Sequence, residues 1–314
     1  MEYGGKGFVV SGIVVAVLIV FPLTLGTEHT LNLFVMLFIT IILAHGWNML
    51  GGYGGQISLG NAAFFGVGLL SFHFLAWNAG LPVYIALPAG GVSGVVLASF
   101  IGIPALRLKG IYFAIGTLAL AEALRITYGN LFPATLYIPT VQITTYTLLS
   151  RYYMGLATAV FIQGAAYCII KSKIGLAMKA IRDDDEAADT LGVNLFKYKF
   201  LALVFNSFCC GLAGGIYAYY QTSIYLTVPF SPQWTFEPLV AAAVGGAGTL
   251  LGPVIGSVFL IILTETFALY LGKGYLIIFG ALFIFVVLFF PGGLVGTWPR
   301  VGMFLGFRRR ATKD

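Results

Sequence analysis

Charge is what this sequence has least of. Only 9% of its 314 residues are charged, against roughly a quarter in a soluble globular domain, while 59% are hydrophobic. That scarcity argues against a soluble fold and for an all-α polytopic membrane protein, since an apolar helix of about 20 residues crosses the hydrocarbon. Cysteine is scarce too. Cys168, Cys209 and Cys210 lack CxxC spacing and neighbouring histidines, which argues against a disulfide framework or metal site and for buried thiols. The three histidines, His29, His45 and His73, are scattered and form no ligand set. No GxxxxGK[ST], HExxH or GxSxG pattern occurs, so nothing marks the chain as a nucleotide hydrolase or covalent catalyst. No metal or cofactor is expected on it.

What is present is apolar length. Candidate spans are Phe8–Leu25, Leu31–Leu50, Gly60–Trp77, Val83–Ile103, Gly110–Tyr128, Tyr152–Ile170, Phe200–Tyr220, Glu237–Leu251, Gly252–Leu271 and Tyr275–Phe290. The first reads as an uncleaved helix rather than a signal peptide. Glu237–Leu251 is short, a crossing or a half-helix, and eight to ten crossings are expected about a single membrane domain over 1–299, followed by a basic tail over 300–314. The net charge of +6 sits at span ends and in that tail, a membrane pattern rather than a nucleic-acid one. Ten crossings place Lys6, Arg107, Lys109 and the tail cations Arg300, Arg308, Arg309, Arg310 and Lys313 on the side of the central charged stretch. The positive-inside rule makes that side, with both termini, cytoplasmic, and leaves Arg151 and Lys273 outside.

Two glycine-rich interruptions, Gly51–Gly60 and Gly245–Pro253, align so that Gly54 meets Gly246, Leu59 meets Leu251 and Gly60 meets Gly252. Paired breaks of this kind point to a substrate path, with Gly54, Gly55, Gln56, Ser58, Asn61, Gly246, Gly248 and Thr249 as its candidate lining. The alternative is that glycine only permits tight turns and close helix packing. Glu122 and Arg125 lie within one span, three residues apart and on one helical face; Glu265 stands in a later span and Glu237 at a span's mouth. Ionisable groups at membrane depth are functional candidates by default, although Glu122 and Arg125 also suit a purely structural interhelical clamp. The longest outer connection, Gly129–Arg151, suits either a delivery partner or a plain linker.

The one long polar interval is Lys171–Lys199, with six of the seventeen basic residues and five of the eleven acidic ones. Its sequence predicts a helical run over Gly175–Ile181 and a second short helix over Asp184–Leu191. Asp183 and Glu186 have capping-box spacing at its start, and Gly192 is the left-handed residue that stops it. Ala187, Ala188 and Leu191 supply a small apolar patch beside Asp185, Glu186 and Asp189, which suits docking into a cleft on a moving partner.

Glu186-Ala187-Ala188-x-x-x-Gly192 resembles the EAA signature of ABC importer permeases. GGYGGQISLGNAAFFGVG, RLKGIYFAIGTLALAEALR, AIRDDDEAADTLGVNLFKYKFLA, GLAGGIYAYY and VGGAGTLLGPVIGS, in that order, resemble the LivM-type permeases of branched-chain amino acid ABC transporters. The resemblance runs from about Leu31 to Trp298. It implies a permease in a bacterial or archaeal cytoplasmic membrane, paired with a LivH-type permease and supplied by a periplasmic or extracellular solute-binding protein. Two ATPase subunits would hold ATP and Mg, one of them coupled through Asp183, Glu186, Ala187, Ala188, Leu191 and Gly192. Two features depart from the pattern: no I-x-L-P follows the signature, and Asn130–Thr135 contains no glycine. Urea or short amides therefore stay open as substrates. An ion-coupled transporter using Glu122 or Glu265 is the alternative from another class, and a membrane-embedded enzyme comes third.

Overall fold

The computed structural model describes residues 5–24, 26–108, 110–131, 135–137 and 147–271, with Gly280 and Gly293. The expected span Tyr275–Phe290, Lys109, Lys273 and the basic tail lie outside the described residues. Eleven helices occur among those described: α1 (Gly5–Thr24), α2 (Glu28–Trp47), α3 (Asn61–His73), α4 (Val83–Ala105), α5 (Ile111–Leu131), α6 (Leu148–Lys171), α7 (Lys173–Asp183), α8 (Asp185–Thr190), α9 (Leu195–Tyr220), α10 (Gln233–Gly245) and α11 (Gly252–Leu271). The last turn of α2 widens into a π-helix over Asn48–Tyr53, and α3 does the same over Phe74–Asn78. Two three-residue strands, β1 (Thr135–Tyr137) and β2 (Ser223–Tyr225), are the only sheet among the described residues.

Five of these elements are long and apolar enough to cross a membrane: α2 with its π-turn, α4, α5, α6 and α9. Gly12–Thr24 and Gly252–Phe267 are shorter apolar helices. The architecture is therefore all-α and polytopic. α2 and α9 form its centre, with 78% and 72% of their apolar stretches buried, whereas α5 is covered over only 22%. α9 packs on α3, α4 and α2; α6 packs on α2 and also meets α9, and the α10–α11 hairpin closes against α2 as well. Small residues let these helices approach. A Cβ on Gly211 of α9 would lie 2.3 Å from the Gly90 carbonyl of α4, and one on Gly68 of α3 would lie 2.3 Å from the Gly211 Cα. Three helices cross at a point where only glycine fits, and close backbone approach replaces the hydrophobic drive that lipid cannot supply.

Within the connection expected on the outer side, β1 pairs antiparallel with β2, Leu136 opposite Ile224. Arg151, one of the two cations expected outside, is 3% exposed. Its Nε donates to the Tyr219 carbonyl at 2.7 Å, its Nη1 donates to the Thr147 carbonyl at 2.9 Å, and its guanidinium lies 4.5 Å from the Tyr219 ring centre. A cation so fully engaged is an architectural one. The cysteine expectation divides: Cys209 and Cys210 are buried in α9, but Cys168 is exposed, because it falls on the outward face of the peripheral helix α6.

Candidate functional site

The polar interval folds as three capped helices in series. Ser172 opens α7 by accepting from the Ile174 amide at 3.1 Å, and Ile174, Met178 and Ile181 then recur along one face. Met178 and Ile181 are buried, so α7 is pinned to the membrane helices by an amphipathic stripe. Asp184, not Asp183, caps α8: its Oδ1 accepts from the amides of Glu186 at 2.9 Å and Ala187 at 3.0 Å. Asp183 is still helical, because the Asp184 amide bonds back to the Ala180 carbonyl at 3.1 Å. With α7 ending two residues later than its apolar pattern suggests, the cap shifts by one. Glu186 becomes the second helical residue rather than the third, so it makes no capping box, and its side chain is exposed.

At the other end the left-handed turn is where the sequence puts it. Gly192 has φ +82°, and the Gly192 and Val193 amides bond to the carbonyls of Asp189 and Ala188 at 2.9 and 3.0 Å. Asn194 then caps α9 by accepting from the Lys197 amide at 2.9 Å. Lys199, 13% exposed, holds the start of α8 to α9 through Asp185. The expected apolar patch is split. Ala188 is buried at 2%, whereas Ala187 and Leu191 are exposed, Leu191 to 82%. Ala188 seats the helix; Glu186, Ala187 and Leu191 face outward.

The two glycine-rich breaks, far apart in sequence, touch. Asn48 joins them through both ends of its amide: Nδ2 donates to the Thr249 carbonyl at 2.9 Å, and Oδ1 accepts from the Gly248 amide at 2.7 Å. The contact is so close that a Cβ on Gly52 would lie 2.1 Å from Asn48 Oδ1 and 2.4 Å from the Gly248 nitrogen. Thr249 closes the second break on itself, donating to the Gly246 carbonyl at 2.8 Å and accepting from the Gly252 amide at 3.0 Å. The first break and the start of α3 are held from α2, α5 and α10. Trp47 Nε1 donates to the Ser58 carbonyl at 3.1 Å, the Leu59 amide to Thr117 Oγ1 at 3.0 Å, and the Ala62 amide to Thr235 Oγ1 at 3.1 Å.

Ser58 and Asn61 are fully buried, and Asn61 Oδ1 accepts from Asn206 Nδ2 at 2.9 Å. Gly54, Gly55 and Gln56, by contrast, line a cleft of about 590 Å³ whose other wall includes Arg182, Asp183 and Lys199. The candidate lining residues thus divide between a buried joint and an open cleft. Sequence reasoning missed Asn48, Thr117, Thr235 and Asn206. The one available signal was an amide or hydroxyl inside an apolar stretch, where an unbonded polar group is costly.

Glu122 and Arg125 bond each other within α5 rather than across helices, Arg125 Nε donating to Glu122 Oε2 at 2.9 Å and Nη2 to Oε1. Both side chains are 38% exposed. Glu265 is not isolated in space: His29 Nε2, near the start of α2, lies 3.4 Å from its Oε1. Glu237 accepts from Gln233 Nε2 one turn earlier.

Comparison with known proteins supplies the family. A family model described as "Branched-chain amino acid transport system / permease component" matches residues 29–287. The chain is 24% identical over 333 residues to the high-affinity branched-chain amino acid transport system permease protein LivM of Escherichia coli, covering 92% of this chain and 75% of that one. A probable LivM of Methanocaldococcus jannaschii is 23% identical, with 68% of each chain covered. The nucleoside permease protein NupC of Lactococcus lactis is 27% identical over 40% of this chain and 38% of its own. No solved structure matches the chain significantly. These relatives are transport permeases, not enzymes, and with the match spanning most of its length this multi-pass membrane protein belongs to the branched-chain amino acid transport system permease family.

Proposed function

We propose that the chain is one of two permease subunits of an ATP-binding-cassette importer for branched-chain or other hydrophobic amino acids, set in a bacterial or archaeal cytoplasmic membrane. The observation that carries this reading is the capped unit over 172–194, which holds Glu186, Ala187 and Leu191 outward on a short helix fixed at both ends. A lever of that kind transmits a push, whereas a loose loop absorbs it. Asp184 and Gly192 bound the lever's short helix, Ala188 seats it, and Asp183 lies just ahead of the cap. ATP and Mg belong to two partner ATPases. Both termini are cytoplasmic, with one permease domain over 1–299 and the tail over 300–314.

The path follows from α5. An ion pair at membrane depth does not face hydrocarbon, yet Glu122 and Arg125 stand on the least covered of the five long helices. That face lies against a second, LivH-type permease, and the solute passes between the two. Gly54, Gly55 and Gln56 form its inner mouth. Gly246, Gly248 and Thr249 back that mouth through the joint, and Ser58 and Asn61 hold it in place. A solute-binding protein delivers at the opposite face, where the β1–β2 ribbon presents Tyr137 and Tyr225, each 67% exposed. The second reading is a nucleoside permease, favoured by the partial match to NupC.

Titrating the partner solute-binding protein with leucine, guanosine and urea, then measuring uptake by the assembled complex, separates these. Leucine is expected to bind and to enter only with ATP. Guanosine uptake without leucine uptake would favour the second reading. Uptake driven by a proton or sodium gradient with no ATP would remove the importer assignment altogether.

A further inference from the structure

Resting on the docking role just proposed, we infer that Arg182 is the positioning residue through which the docking unit moves the joined glycine breaks. It sits in the last turn of α7, two residues before Asp184, the cap that separates α7 from α8. Its Nη1 donates to the Gly52 carbonyl at 3.0 Å, while Nε and Nη2 donate to Asp183 Oδ1 at 3.3 and 3.2 Å, which fixes the plane of the guanidinium. The same group reaches the second break: a Cβ on Gly248, where φ is +77°, would lie 2.5 Å from Nη1. The backbone of the first break rests on this residue as well, since a Cβ on Gly55 would lie 3.0 Å from the Arg182 Cα. One turn earlier, Lys179 Nζ lies 5.6 Å from the Tyr53 ring centre, a second hold on the same π-turn.

One planar cation therefore touches both breaks and the end of α7 together. Because Asn48 bonds the second break to the helix that carries the first, displacement of Gly52 by α7 carries Gly248 and Thr249 with it. Hydrogen-bonded and packed groups of this kind carry coupling between elements that have two arrangements. A lysine offers a single point charge and cannot hold the Gly52 carbonyl and Asp183 in one plane.

The test uses the complete transporter with its ATPases, carrying Cys168→Ala to remove the exposed native thiol and Ile57→Cys as a reporter. Ile57 is 54% exposed and lines the cleft beside Gln56. Maleimide labelling is compared between the nucleotide-free and ATP-vanadate states, a readout that needs no transported solute. With Arg182 intact, the labelling rate is expected to change by about tenfold, the scale of a typical coupling between sites. In complexes that assemble, Arg182→Gln is expected to abolish that change and Arg182→Lys to shrink it. A full nucleotide response in Arg182→Gln overturns the inference alone. Should Arg182→Gln fail to assemble, Arg182→Lys decides: a reduced response supports the link, an undiminished one overturns it. No response even with Arg182 intact overturns the docking role and this inference with it.

Discussion

Glu186→Lys is expected to cut ATP-driven uptake by roughly a hundredfold, because a reversed charge placed in a docked interface costs several kcal/mol. The permease itself should remain folded. Glu186 is exposed, its side chain forms no part of the Asp184 cap, and it accepts no hydrogen bond among the described residues, so the change costs the fold no more than the small favourable term of an acid in the first turn of a helix. The measurement is co-purification of the ATPases with the variant, alongside uptake in membrane vesicles. Loss of both at normal permease abundance fits a contact with the ATPase. Unchanged uptake would remove the docking assignment, and loss of the permease itself would mean that Glu186 serves the fold.

The second large effect is expected at α5. Replacing Glu122 and Arg125 together by Leu and Met keeps the volume of the helix surface and leaves no charge unpaired, so insertion and assembly should be normal. Uptake should nevertheless fall by about tenfold to a hundredfold, the equivalent of one or two hydrogen bonds from charged groups to the passing solute. The reason is placement: the pair bonds within α5 and sits on its open side, so it joins no two of the described helices. Full transport by the double variant would instead make it a clamp against the second subunit, of the kind an apolar pair replaces without loss. Arg125→Leu alone should be worse than the double change, since it leaves the Glu122 carboxylate without its partner.

Much of the local structure is legible in the sequence, because local features have local causes. The polar interval stands out by charge, Gly192 by its place after a short helix, and the long helices by apolar length. Asp183 was the wrong cap for an equally local reason: three consecutive aspartates leave the choice to the point where α7 ends, and that point is set by packing. The short Glu237–Leu251 span is really α10, Gln233–Gly245, followed by the break.

What the sequence hides is tertiary. Asn48 and Thr249 are 201 residues apart, and no periodicity announces that one amide joins two glycine-rich breaks. The β1–β2 pairing is equally remote, between strands too short to show alternation. In helices that are apolar on every side, pattern does not tell a lipid-facing surface from a buried one. Only the packed structure assigns α2 and α9 to the centre and α5 to the edge.

The docking of α8 on an ATPase subunit is tested most directly by cross-linking in the native membrane. In a Cys168→Ala background, Leu191→Cys and Tyr225→Cys place a single exposed thiol at opposite ends of α9, whose 26 residues span roughly 40 Å. A thiol-to-amine cross-linker applied to both should join Leu191→Cys to an ATPase subunit and leave Tyr225→Cys free of it. An ATPase adduct at Tyr225→Cys, or none at Leu191→Cys in a complex that still transports, would contradict the account.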